Sequence, residues 1–96
     1  MAAFKVYADF QNLDDANRLR LTSAGTSWDL TRYGIQLCEG MMLTFYTDDA
    51  DEDGQTDELL AEGVVHYDPA GHCWVAAIDW SALRHASDER AQGATR

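Results

Sequence analysis

The chain has 96 residues, 46% of them hydrophobic, with three tryptophans, four tyrosines and three phenylalanines. That is enough for one core and too little for a second. Seventeen acids against seven bases give a net charge of −10, which disfavours nucleic acid and anionic membrane surfaces, since both demand a basic footprint.

The charge is local. Eight acids fall within residues 48–62, where there is no base, and nine acids face seven bases elsewhere. A basic protein partner therefore stays open. Cys38 and Cys73 are too few and too irregularly spaced for a disulfide framework or a zinc site. There is no apolar run of membrane-spanning length and no signal-peptide core. The expected compartment is the cytoplasm, with both thiols reduced and buried separately.

Phe4, Val6, Ala8 and Phe10 alternate with polar residues and predict a half-buried strand with Lys5 on its outer face. Residues 12–17 predict a turn whose side chains bond their own backbone. Residues 18–22 alternate again, with Leu19 and Leu21 inward and Arg20 outward, and are expected to pair antiparallel with the first strand. Thr26 is the expected cap of a short helix over 27–33, with Asp29 near its positive end and Gly34 as its left-handed stop. Trp28, Leu30 and Tyr33 are its apolar residues, and the helix is expected to plug one end of the sheet.

A third strand is expected over 41–47, then an acidic loop over 48–58. The loop's exit, residues 56–63, is expected to start with a helical turn before extending. Asp68-Pro69-Ala70-Gly71 predicts a three-residue hairpin loop with Gly71 left-handed. Its register sets Tyr67 opposite Cys73, Val65 opposite Val75 and Gly63 opposite Ala77. On the other face it sets His66 opposite Trp74, Val64 opposite Ala76 and Glu62 opposite Ile78. Both faces are largely apolar, so one should be covered by the helix, the tail or a partner. Asp79 or Ser81 can cap a last helical turn through Leu83 and His85. Residues 1–86 are thus read as one domain and 87–96 as a polar, disordered tail.

Within the acidic loop, Asp49, Asp51, Asp53, Gly54, Gln55 and Asp57 fit D-x-D-x-D-G-x-x-D. Alternate oxygens in such a run converge on a hard cation, with the Gln55 carbonyl completing the curve. The run resembles calcium loops of the EF-hand and dockerin type, which implies Ca2+ held by Asp49, Asp51, Asp53, Gln55 and Asp57. Two departures are visible: Leu60 stands where an EF-hand places its bidentate glutamate, and the flanks are strand-like. The plain alternative is a solvated, self-repelling loop that blunts a sheet edge.

His66, His72 and His85 are the available general bases, but no nucleophile elbow or His-Glu-x-x-His pair accompanies them. No catalytic residue is therefore assigned and no enzyme is expected. Trp80, with Tyr46 and Tyr7 on outward positions, is the expected partner-binding surface, set against ordinary aromatic packing.

Gly25-Thr26-Ser27-Trp28-Asp29-Leu30, the Asp48–Asp53 acidic run and Ala77-Ile78-Asp79-Trp80 resemble a group of small uncharacterised bacterial proteins. That resemblance implies an SH3-like barrel and brings no activity with it. The expected fold is mainly β: a five-stranded antiparallel SH3-like barrel or strongly bent sheet, with one short helix and a C-terminal helical turn. The alternative is an open sheet with the helix packed on one face. The expected function is a small acidic protein-interaction module, with self-association as one way to cover its apolar surface. A low-affinity calcium module is the alternative, and an enzyme comes third.

Overall fold

Residues 42–78 build the centre of the sheet in the structure, a computed structural model that describes residues 5–50, 54 and 56–86. Phe4, Asp51, Asp53, Gln55 and the tail 87–96 lie outside the described residues. In chain order the elements are β1 (Lys5–Tyr7), β2 (Leu19–Arg20), α1 (Ala24–Tyr33), β3 (Met42–Ala50), β4 (Thr56–Asp68) and β5 (Cys73–Ile78), followed by a 3-10 turn (Trp80–Ala82) and β6 (Arg84–His85). The strands lie in the order β1-β3-β4-β5-β2, with β6 paired to β4 alongside β5. Among the described residues the protein is mainly β with one α-helix of more than a turn, and the sheet stays open instead of closing into the expected barrel.

The predicted alternation is present. Val6, Ala8 and Leu19 are fully buried, Leu21 nearly so, and Phe10 packs partly buried against the same cluster. Lys5 is exposed, and Arg20 is half-buried on the other face. The expected partnership of the first two strands is wrong. β1 pairs parallel with β3 at one edge, and β2 pairs antiparallel with β5 at the other. The cause lies in the connecting turn. Asp14 accepts from the backbone N–H groups of Ala16 (2.9 Å) and Arg18 (2.8 Å), and an isolated bridge joins Leu13 to Leu19. The turn thus closes on itself, and residues 8–12 cross the sheet to reach it.

β3 and β4 form a hairpin longer than expected, in register from Met42↔Val64 to Ala50↔Thr56. No helical turn interrupts residues 56–63, and the acids at 48, 49, 57 and 58 are strand residues. The β4–β5 register is offset by one from expectation: Tyr67 faces Trp74, Val65 faces Ala76 and Gly63 faces Ile78. On the other side His66 faces Val75 and Val64 faces Ala77. The loop has four residues between Asp68 and Cys73, and the left-handed residue is His72 (φ 53°). Gly71 serves a different purpose, because a Cβ there would stand 2.9 Å from an Asp68 carboxylate oxygen. That carboxylate in turn accepts from Ala70 N–H.

One sheet face is thus lined by Val6, Phe45 and Ala61 in one row and by Leu19, Ala76 and Val65 in another. Leu30, Ile35, Leu37 and Met41 pack against this cluster. The opposite face carries Met42, Val64 and Ala77 in one row and Tyr7, Tyr46, Leu60 and Arg84 in another. After Ile78, Asp79 caps the 3-10 turn as expected, but Arg84 and His85 continue as a strand and not as helix. Cys38 and Cys73 are unpaired as expected, although Cys38 is exposed and Cys73 half-buried. Among the described residues no helix is long and apolar enough to cross a membrane.

Candidate interaction surface

α1 begins three residues earlier than expected. Ser23, not Thr26, is its cap, with its side-chain oxygen accepting from Thr26 N–H. Thr26 has other work. Its Oγ1 donates to the Tyr7 carbonyl at 2.6 Å, and Asp29 Oδ2 accepts from Tyr7 N–H at 2.9 Å. In a parallel pair both backbone groups of alternate residues point the same way. Ala8 N–H reaches Tyr46 O toward β3, so the Tyr7 groups point out of the sheet. Two helix side chains therefore occupy the hydrogen-bonding positions that a further strand would take, and the β1 edge is covered. Gly25 makes the approach possible, since a Cβ there would meet the Tyr7 ring at 2.6 Å.

Asp29 is almost fully buried, and its charge acts on the Tyr46 hydroxyl. Burial pushes the Tyr46 hydroxyl up to about 12, helped by the Asp29 charge and, further off, by Asp48 and Glu58. Among the described residues no buried side-chain polar atom lacks a partner.

This inward geometry fixes what α1 shows outside. At about 100° per residue, Thr26, Asp29, Leu30 and Tyr33 share one side of the helix. Trp28 lies opposite them and is 73% exposed. Around it Ala24, Ser27, Thr31 and Arg32 are all exposed. The expected apolar grouping of Trp28 with Leu30 fails because residues two apart do not share a helix face. That spacing was the available signal for Trp28, the surface residue that the expected set of Trp80, Tyr46 and Tyr7 leaves out.

Tyr7 and Tyr46 do come together, edge to face at 5.6 Å, with the Lys5 ammonium over the Tyr46 ring at 5.5 Å. Trp80 is elsewhere. It packs edge to face on Phe10 at 5.9 Å, donates from Nε1 to the Asn17 carbonyl and keeps 36% exposure. Trp74 meets Tyr67 edge to face and packs against the core. The three tryptophans therefore line no common groove. On the open sheet face Met42 is 68% exposed beside Val64 and Ala77.

No protein-family model, curated protein or solved structure matches the chain.

At the acidic end of the hairpin, like charges stand directly opposite each other: Asp48↔Glu58 and Asp49↔Asp57. Such pairs repel unless compensated. Lys5 compensates Glu58 at 2.6 Å, and His85 Nε2 lies 3.0 Å from Asp49 Oδ2. Asp57 is buried, and its Oδ1 accepts from Glu58 N–H. Of the expected ligand set only Asp49 and Asp57 are described, and they share a face at the mouth of the loop. Among the described residues no three His, Cys, Asp or Glu side chains converge on a point that could hold a metal.

His66 Nδ1 is bonded to Glu39, whose other oxygen accepts from Tyr67 N–H at 3.0 Å. The His66 bond holds the Glu39 carboxyl below its usual range, and the Tyr67 N–H adds to it. His72 is exposed in the β4–β5 loop. The described histidine–carboxylate pairs join segments distant in sequence: His66 to Glu39, and His85 to Asp49.

Proposed function

We propose that the chain is a non-enzymatic protein-interaction module that presents an aromatic helix face and an acidic hairpin to a protein partner. The observation that carries this is Trp28, 73% exposed on a helix whose opposite side is fully engaged with β1 and the core. A tryptophan in that position gives up a large apolar area when covered, and tryptophan is enriched among residues that dominate interfaces. The free thiols Cys38 and Cys73 support a reducing, cytoplasmic setting.

The test is photo-crosslinking in the native cells from position 28 and, separately, from position 42. The captured protein is then purified and its binding measured by calorimetry. A discrete partner whose binding weakens on Trp28→Ala supports the module. No crosslink from either position, or binding indifferent to both Trp28→Ala and Met42→Ala, defeats it.

The second reading is a low-affinity calcium module through Asp49, Asp51, Asp53, Gln55 and Asp57. It is favoured by Asp49 and Asp57 sharing one face at the loop's mouth. Without a bidentate glutamate its dissociation constant should be on the order of 0.1–1 mM. Calcium calorimetry beside an Asp51→Asn/Asp53→Asn double variant checks it. Equal heats from the two proteins leave only a solvated acidic loop.

A further inference from the structure

Five bases lie among the described residues, and four of them are engaged. Lys5 is held by Glu58, Arg18 by Asp14 and Arg84 by Glu62, while Arg20 donates to the Leu13 carbonyl. Arg32 is different. Its guanidinium lies over the Tyr33 ring at 5.8 Å and has no carboxylate partner among the described residues. In a chain with seventeen acids, an exposed guanidinium that no described carboxylate takes is informative. Arg32 follows Trp28 by four residues, so the two positions adjoin on the outward side of α1, with the guanidinium resting over Tyr33. The helix has one acid, Asp29, and it is buried on the inward side. Among its own residues, α1 therefore shows no acid on its outward side.

Taking the module function as its premise, we infer that the Trp28–Arg32 face binds a peptide segment of a partner that carries a bulky apolar side chain next to a carboxylate. The apolar group covers the indole, and the carboxylate takes the planar fork of Arg32, a bidentate match that lysine would not reproduce. Trp and Arg are both residue types that concentrate binding energy at interface centres. The Arg32 charge favours an acidic over a basic segment at this face, whereas a basic segment is drawn to the hairpin acids. A second copy is disfavoured, because a two-fold contact through α1 sets Arg32 against Arg32 between two molecules of charge −10.

The experiment uses the full chain, immobilised, and a displayed library of random peptides, with every enriched peptide then scored on Trp28→Ala. The winning peptide is synthesised and titrated by calorimetry. Its sequence should pair Leu, Ile, Phe or Trp with Asp or Glu. Trp28→Ala and Arg32→Glu should each weaken it about tenfold or more. Replacing the peptide's carboxylate by lysine should restore binding to Arg32→Glu while abolishing it for the native chain. Neither residue supports the core, so unchanged far-ultraviolet dichroism and melting midpoint will show that both variants are folded.

Peptides rich in lysine or arginine, or a failed charge swap, overturn the inference. So does a peptide that binds native and Trp28→Ala chains equally, although that outcome leaves the module function standing with its surface elsewhere. A selection that enriches nothing for any surface removes both.

Discussion

The backbone of Tyr7 depends on two helix side chains, and each makes a separable contribution. Thr26→Val keeps shape while leaving the Tyr7 carbonyl without its donor, so chemical denaturation should show a loss of about 1–3 kcal/mol. Tyr46 reports on the second contact. Because its folded value is raised from the usual 10 to about 12, the neutral hydroxyl is favoured in the native state. Its stabilisation is complete below pH 10 and is lost as pH rises through 12. Tyrosinate absorbance should therefore show one late-titrating ring that Tyr46→Phe removes and Asp29→Asn moves down. Little of this was legible in the sequence. Asp29 and Thr26 read as helix-start residues because propensity describes only local roles, whereas their partner lies about twenty residues away. The exposure of Trp28 is missed when it is grouped with Leu30 and Tyr33, although its two-residue offset from Leu30 carries the signal.

For the helix as an element, Gly25 sets two effects against each other. Alanine at this first-turn position gains about 1 kcal/mol of helix propensity. Its Cβ would also meet the Tyr7 ring at 2.6 Å, and overpacking of that kind costs about 1–3 kcal/mol. Gly25→Ala should destabilise the native chain and stabilise a Tyr7→Ala background, an inversion that a double-mutant cycle of melting curves detects. β6 offers the parallel test at the other end. Arg84 bonds both Glu62 oxygens, at 3.0 and 2.7 Å, and holds that carboxyl below its ordinary 4.5. The pair's contribution is present above pH 4.5 and disappears as pH falls through the lowered value. Hydrogen-exchange protection at Leu59 and Leu60, taken relative to the intrinsic rate at each pH, should fall in acid, and Glu62→Gln should remove that dependence, for a change of about 0.2–1 kcal/mol. The β4–β5 hairpin itself was readable from Asp68-Pro69-Ala70-Gly71. Its register was not, since Gly71 lies against the Asp68 carboxylate and the left-handed residue is His72.

At the scale of the molecule, alternation identified which residues face the core but not which strands adjoin. Val6 and Leu19 were readable as buried because a period of two is a local property. That β1 lies against β3 and β2 against β5 depends on contacts 39 and 57 residues apart (Lys5↔Thr44 and Leu19↔Ala76), which the local pattern does not encode. The same separation has a kinetic corollary. Substitutions in the β3–β4–β5 meander, where pairing is between chain neighbours, should slow refolding, whereas those in β1 and β2 should mainly speed unfolding. Stopped-flow chevrons of Phe45→Ala and Val65→Ala against Val6→Ala and Leu19→Ala distinguish the two limbs.

The strand order has a further consequence for biosynthesis. Both strands drawn from the first twenty residues occupy the outermost places of a sheet whose middle is translated afterwards. At about 5–20 residues per second, β1 waits on the order of two to nine seconds after leaving the ribosome before its template strand is complete, and β2 waits for β5. Throughout that interval Val6, Ala8, Leu19 and Leu21 form a nascent apolar segment with nowhere to dock, which makes it the natural substrate for whichever chaperone stands at the exit tunnel.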